Sequence, residues 1–354
     1  MRQIRFLDWF AGIGGFRYGL EKANKSHKGR LNQFQESSEA NGDKGRGDVC
    51  LEGSSPTLRC VGTCEIDRWC RQVYAKNFGH EPEWADSRAV DPSELPDFDL
   101  FCAGFPCQSF SIAGKRRGLE DSRGTLFYEI CRILRAKKPR FLLLENVAGL
   151  LSTPYVQMVE VVEAETITVE GTDRWGNKHL ATRYTGRWAK VNRLKPIPGT
   201  HGWVFATILC SLDELGYDCQ WEVLNSKNFG VPQNRERVFI VGHLRSEARP
   251  QVFPLGECNS VPNGSRAKEQ GQAVSSSVRP GLAGIPGSGE VYMIHQNGIR
   301  RLTPLECERL QGFPDGWTEG VSDTQRYRMC GNAVTTTVVT AIGVRFIEAL
   351  MESG

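Results

Sequence analysis

A chain of 354 residues with 40% apolar and 24% charged residues can bury one large core with a smaller lobe beside it, and its composition is neither collagen-like nor disordered. A formal net charge of +3 excludes a uniformly basic nucleic-acid binder. Local clusters at Lys115-Arg116-Arg117, at Arg235 and Arg237, and at Arg300-Arg301 then become the places where an anionic partner is met.

Ile4 to Phe10 is an apolar run that breaks into Ala11-Gly12-Ile13-Gly14-Gly15, and Phe16 to Ala23 continues as a helix. Strand, Gly-rich turn and helix in that order open a doubly wound sheet, although the glycine spacing is not that of a dinucleotide fingerprint. A simple tight turn explains the same glycines. Residues 24–56 are polar, Gly/Ser-rich and without periodicity, and read as a surface insertion. Leu58 to Cys64 reads as a second strand ending in Glu65-Ile66-Asp67, where a carboxylate is placed to meet ribose hydroxyls. A helix follows from Arg68 to Phe78. Asp86, after Trp84-Ala85, is expected beside another strand end, with a solvated surface carboxylate as the alternative.

Phe98 to Ala103 is a buried strand leading into Gly104-Phe105-Pro106-Cys107-Gln108-Ser109-Phe110-Ser111 and the basic residues Lys115, Arg116 and Arg117. A thiol beyond a strand's carboxyl end lies where open α/β sheets gather ligands, and the small, basic loop after it suits closure over an anion. An inert buried cysteine is the competing reading. Leu126 to Lys137 is an amphipathic helix, and Arg140 to Leu144 is a strand carrying Glu145-Asn146-Val147 at its end. A partly desolvated Glu145 can hold a proton near neutral pH, and a helix-capping role competes with that reading. Residues 155–201 alternate polar and apolar side chains and carry Trp175, Tyr184 and Trp188, which indicates a small β element.

The pattern resumes with a helix from Trp203 to Leu215 and a strand from Cys219 to Leu224. Gln233-Asn234-Arg235-Glu236-Arg237 then enters another strand, with two guanidiniums alternating toward one face. Residues 243–298 shift toward Gly, Ser and Pro, an irregular lobe or linker. Thr303-Pro304-Leu305-Glu306 has the form of a capping box with Pro at the first helical position. Cys330-Gly331-Asn332-Ala333-Val334 leads into a C-terminal helix. The twelve cysteines form no CxxC pair and there is no His pair at ligand spacing, so no metal is expected and most thiols are read as buried. No apolar run approaches a membrane span and the N-terminus lacks a signal-peptide core, which points to an intracellular protein.

Taken in this order, Phe-Ala-Gly-Ile-Gly-Gly, Cys-Glu-Ile-Asp, Pro-Cys-Gln, Glu-Asn-Val, Gln-Asn-Arg-Glu-Arg, Arg-Leu-Thr-Pro-Leu-Glu-Cys-Glu-Arg-Leu-Gln-Gly-Phe-Pro and Gly-Asn-Ala-Val resemble the C5-cytosine DNA methyltransferase family from one end of the chain to the other. The resemblance implies an α/β fold, a doubly wound, mostly parallel, Rossmann-like sheet with a smaller target-recognition lobe. It implies a catalytic domain over 1–242 (with insertions at about 24–56 and 155–201), the lobe over 243–325, and a segment 326–354 returning to the catalytic domain.

The same resemblance makes Cys107 the covalent nucleophile toward a flipped-out cytosine, Glu145 the proton donor, and Arg235 and Arg237 the supporting cations. It puts S-adenosylmethionine against Phe10, Gly12, Gly14, Glu65, Ile66, Asp86, Asn332 and Val334. DNA falls to Gln108, Ser111, Lys115, Arg116 and Gln233. The implied partners are double-stranded DNA and a cognate restriction endonuclease, for a cytoplasmic monomer with no membrane association. A tRNA cytosine-5 methyltransferase and a catalytically silent DNA-binding homologue are the competing functions. A nicotinamide oxidoreductase is a competitor by fold alone, and it leaves Pro-Cys-Gln unexplained.

Overall fold

Strand β1 (Gln3–Trp9) is buried at every position from Phe6 to Trp9, as a strand must be when helices cover both faces of its sheet. The structure, a computed structural model, describes residues 3–40, 55–105, 126–152, 156–172, 178–196, 202–245, 250–255, 292–295 and 298–352. After β1 come α1 (Gly15–Ala40), β2 (Thr57–Cys64), α2 (Arg68–Phe78), β3 (Leu100–Gly104), α3 (Leu126–Lys137) and β4 (Phe141–Val147). A two-stranded ribbon follows, β5 (Val156–Thr172) and β6 (Lys178–Pro196), then α4 (Trp203–Glu214), β7 (Tyr217–Asn225) and β8 (Glu236–Leu244). The chain ends with β9 (Tyr292–His295), β10 (Gly298–Arg301), α5 (Pro304–Leu310), α6 (Asp323–Asn332) and α7 (Thr336–Glu352).

Six strands form one sheet in the order β2-β1-β3-β4-β8-β7. β1 pairs in parallel with β2 and β3, and β3 with β4, while β8 runs antiparallel between β4 and β7. The fold is therefore the expected α/β, mostly parallel sheet, closed on one side by an antiparallel pair. Its core joins Phe6, Leu143, Phe239 and Val241 of the strands to Phe16 and Leu20 of α1 and to Val338, Ile342 and Phe346 of α7. The sheet lies in one compact unit with α1 to α3 and α5 to α7, and β5 with β6 lies in a second, the division falling within α4.

Three expectations need correction. The helix expected to stop at Ala23 continues to Ala40, so the first half of the expected insertion is helical. Its Lys, Glu, Gln and Ala residues are good helix formers even without apolar periodicity. Asn24, the first residue of that stretch, is structural: its amide donates to Leu58 O at 2.8 Å and accepts from Leu58 N at 2.9 Å.

Asp86 does not end a strand. A single bridge joins Trp84 to Cys64, and Asp86 caps the short 3-10 turn Ser87–Ala89. Lastly, the stretch Asp323–Glu352 is apolar and long enough to span a membrane by composition. It is α6 and α7, broken at Ala333, with α7 buried along Val338, Val339, Ile342, Phe346 and Ile347, the signature of a core helix.

Candidate active site

At the carboxyl end of β1 the backbone enters the left-handed region three times, at Phe10 (φ 58°), Gly12 (φ 55°) and Gly14 (φ 83°). Phe10 carries a side chain in a conformation that costs energy, a feature that clusters at ligand sites. Gly14 is obligatory: a Cβ there would overlap the Phe78 ring at Cε2. A Cβ at Gly12 would meet nothing within 4 Å, so this part of the turn borders open space.

Glu65, only 8% exposed, is fixed from both sides. Its Oε2 accepts from Gly12 N at 2.7 Å and its Oε1 from Asp67 N at 2.8 Å. Burial raises its pKa, and the N–H groups of Asp67 and Gly12 oppose that rise. Each oxygen keeps a lone pair for a further donor such as a ribose hydroxyl. Ile66 beside it is 63% exposed, an apolar surface on which a flat ring can rest. Turn, carboxylate and apolar platform fit a nucleoside-bearing sulfonium, and no anion-binding glycine fingerprint is needed.

The turn is braced by residues whose role the sequence does not announce. Asp8 Oδ2 accepts from Arg17 N at 3.1 Å, tying β1 to the first turn of α1 across the glycines. Trp317 Nε1 donates to Ile13 O at 3.0 Å. Asp8 had a readable signal, a carboxylate in the apolar run Phe6-Leu7-Asp8-Trp9. Trp317 had none, because the contact spans almost the whole chain. Val334 packs on Gly15, where a Cβ would lie 2.7 Å from Val334 Cγ1.

A second group of side chains sits at the ends of β4 and β8. Parallel register sets Glu145 beside Gly104, and antiparallel register sets it beside Phe239, with Val147 opposite Arg237. Arg237 Nε lies 3.1 Å from Glu145 Oε1. Arg235, 7% exposed, donates from Nη2 to Gly331 O at 3.0 Å and Ala333 O at 2.9 Å. It thereby holds the backbone on both sides of the exposed Asn332.

Burial pushes the Glu145 carboxyl up, with Arg237 and then Arg235 opposing the rise. Burial and then Arg237 push the Arg235 guanidinium down to about 10. Two desolvated cations face one carboxyl, so a ligand offering a carbonyl oxygen or developing negative charge is stabilised here. Arg235 Nε and Gln233 Oε1 are buried with no hydrogen-bond partner among the described residues. Asn146 Nδ2 donates to Phe105 O at 2.8 Å, fixing the chain where β3 leaves the sheet.

The structure thus gathers Phe10, Gly12, Gly14, Glu65 and Ile66 about one turn, and Glu145, Arg235 and Arg237 about a second point, with Asn332 next to the carbonyls that Arg235 takes. Asp86 is committed elsewhere: its carboxylate accepts from Arg88 N at 3.0 Å, Nε at 2.9 Å and Nη2 at 2.7 Å. It stays close in the chain to Trp84, whose carbonyl accepts from Glu65 N at 3.0 Å. Cys107, Gln108, Ser111, Lys115 and Arg116 lie outside the described residues.

The sequence profile described as C-5 cytosine-specific DNA methylase matches residues 4–166, 197–279 and 257–348. Among similar proteins, the Type II methyltransferase M.NlaX of Neisseria lactamica is 32% identical, covering 98% of this chain and 97% of its own. The Type II methyltransferase M.HhaI of Haemophilus parahaemolyticus is 28% identical, covering 98% and 95%. Among solved structures, the S. pombe Dnmt2 methyltransferase aligns with a TM-score of 0.56 at 16% identity, over 98% of this chain and 99% of that one. A putative DNA modification methyltransferase encoded within an E. coli prophage aligns with a TM-score of 0.53 at 17% identity, over 99% of each chain. The two structures share the fold.

Proposed function

The chain belongs to the C-5 cytosine-specific DNA methylase family, and from that premise we propose that it methylates carbon 5 of cytosine in double-stranded DNA through a covalent adduct on Cys107. The observation that carries the reading is Glu145, buried at the carboxyl end of β4 with Arg237 at 3.1 Å. Carbon 5 of cytosine is a poor nucleophile, and three groups in concert change that. The Cys107 thiolate forms a bond to carbon 6, Glu145 gives its proton to nitrogen 3, and the ring electrons pass to carbon 5. S-adenosylmethionine supplies the methyl group as an electrophile.

A water molecule then takes the carbon 5 proton as the bond from carbon 6 to the Cys107 sulfur breaks and the thiolate leaves. This restores the ring, and the nitrogen 3 proton returns to Glu145. Arg237 keeps Glu145 oriented, and Arg235 faces the base carbonyl from a position that its bonds to Gly331 and Ala333 make rigid. Asn146 holds the carbonyl of Phe105, two residues before Cys107 in the chain. The target must be extruded from its duplex, and Gln108, Ser111, Lys115, Arg116 and Gln233 are assigned to the DNA around it.

The cofactor would lie on the Phe10–Gly14 turn with its ribose on Glu65 and its adenine against Ile66. Asp86, Asn332 and Val334 complete that pocket in this reading, Asp86 through its backbone, since Arg88 occupies its carboxylate. Base reading is assigned to the lobe 243–325. The Type II names of the relatives support a restriction–modification setting with a cognate endonuclease; an intracellular, monomeric enzyme belongs to the same reading.

The test uses duplex DNA carrying 5-fluorocytosine, with S-adenosylmethionine. The wild type should give an adduct that survives denaturation and Cys107→Ser should not. An equal yield from Cys107→Ser would remove the assignment. A tRNA transcript in a parallel tritiated-methyl assay separates the RNA-directed alternative.

A further inference from the structure

Asp67 accepts hydrogen bonds on both carboxylate oxygens and donates one from its backbone. Its Oδ1 accepts from Trp69 N at 2.8 Å and from Cys70 N at 3.1 Å, which caps α2. Its N–H donates to Glu65 Oε1 at 2.8 Å. Its Oδ2 accepts from Arg328 Nη2, a residue 261 positions further along the chain. Among the described residues, Arg328 is the one partner of this carboxylate that lies outside the first turn of α2.

Arg328 springs from α6, and α6 is held on either side of it. Arg326 Nη2 donates to Glu308 Oε1 at 3.0 Å, Tyr327 Oη donates to Leu302 O at 2.6 Å, and Met329 and Cys330 are buried. One turn further on, Gly331 O and Ala333 O take the Arg235 guanidinium. The Arg328 side chain therefore has a fixed root. It is 37% exposed and that of Asp67 is 26% exposed. An ion pair so open to water adds at most about 1 kcal/mol to stability, too little for the fold to depend on it.

The pair instead fixes the rotation of Asp67 in the turn from which its N–H reaches Glu65. Its charge acts in the same sense. Burial is the main cause raising the Glu65 pKa, and the Asp67 charge adds to that rise. A cation on Asp67 offsets that second cause and keeps Glu65 ionised, able to accept with both oxygens.

We propose that Arg328 is a positioning residue for the cofactor: through Asp67 it holds the Glu65 carboxylate in the orientation that a ribose diol requires. This rests on the reading that puts the S-adenosylmethionine ribose on Glu65. A hydrogen bond weakens steeply as its angle closes, so a diol that meets one carboxylate is sensitive to a small rotation of it.

Calorimetry with S-adenosylmethionine and no DNA compares the wild type with Arg328→Met, Asp67→Asn, Glu65→Ala and Glu65→Ala/Arg328→Met, with thermal unfolding measured alongside. Arg328→Met should bind roughly three- to thirtyfold more weakly, the range for a residue that modulates a site without contacting its ligand. Its unfolding temperature should stay close to that of the wild type. Asp67→Asn keeps an oxygen for the α2 cap and loses the charge, and it should weaken binding to a similar degree. Arg328→Lys retains a cation and should recover most of the affinity. In the Glu65→Ala background the Arg328 substitution should cost no more than about twofold, because the group it orients is gone. If Arg328→Met does not fold, Asp67→Asn with and without Glu65→Ala runs the same cycle.

Unchanged cofactor affinity in a folded Arg328→Met overturns the proposal, as does an undiminished further loss in the Glu65→Ala background. Failure of the wild type to bind S-adenosylmethionine, or equal binding by Glu65→Ala, would instead overturn the cofactor reading on which the proposal rests.

Discussion

Arg237 Nε stands 3.1 Å from Glu145 Oε1, where β4 meets the antiparallel strand β8. Burial raises the pKa of this carboxyl, and Arg237 is the first group holding it down. In the proposed chemistry the protonated form acts, so turnover should fall as pH rises through the Glu145 pKa. Removing the cation lets that pKa rise further. In Arg237→Gln the high-pH limb of the kcat profile should therefore move to higher pH, even though kcat itself drops. A profile from about pH 6 to 9 in saturating cofactor and DNA checks this, and an unmoved limb would separate Arg237 from the ionisation of Glu145.

Glu65 carries the cofactor prediction. Its two oxygens are oriented by Gly12 N and Asp67 N before any ligand arrives. Glu65→Ala should weaken S-adenosylmethionine binding by roughly 1–3 kcal/mol, the range for hydrogen bonds to a charged group. Binding of duplex DNA without cofactor should change little. Calorimetry with both ligands measures the two quantities separately. Equal cofactor affinity in the variant would place the ribose elsewhere.

Gly14 offers a sharper test of the turn than the cofactor contacts do. Its φ of 83° and the Phe78 ring, which occupies the space a Cβ would need, act together against any side chain. Gly14→Ala should destabilise the fold by about 1–3 kcal/mol from strain at a special backbone position and overpacking. Shrinking the ring in Gly14→Ala/Phe78→Leu should return the overpacking part and leave the backbone part. Urea unfolding of both variants reports the difference, and a neutral Gly14→Ala would contradict the packing described.

Much of this fold is legible in the sequence. The apolar runs that form β1 to β4 are buried strands flanked by turns, the clearest pattern a sequence can carry. Thr303 and Glu306 form the capping box that their spacing announces. What is not legible depends on distant partners. α6 has little periodicity; it is held where Arg326 meets Glu308 at 3.0 Å and where Met329 and Cys330 are buried. Arg235 reads in the sequence as a cation for phosphate, a base carbonyl or a nearby acid, and its bonds to Gly331 O and Ala333 O join two segments that lie far apart in the chain. Position suggests Asp86 as a ligand group, and local pairing with Arg88 decides its carboxylate.

Asp8 supplies the last prediction, because nothing in the proposed chemistry uses it. It is 0% exposed, its Oδ1 has no hydrogen-bond partner among the described residues, and burial pushes its pKa to about 8. The unfolded chain releases this proton near the ordinary value of 3.8. Between those two values the folded state holds one more proton than the unfolded state, so the contribution of Asp8 to stability falls as pH rises. Asp8→Asn keeps an oxygen for Arg17 N and cannot ionise.

The stability of Asp8→Asn relative to the wild type should therefore increase steadily from about pH 5 to about pH 8 and level off above it. The slope should approach about 1.4 kcal/mol per pH unit where the two states differ by a whole proton. Urea titrations at each pH give the difference directly. A difference that stays constant over this interval would mean that Asp8 is ionised in the folded protein, and the Arg17 N–H would then be capped by a buried carboxylate.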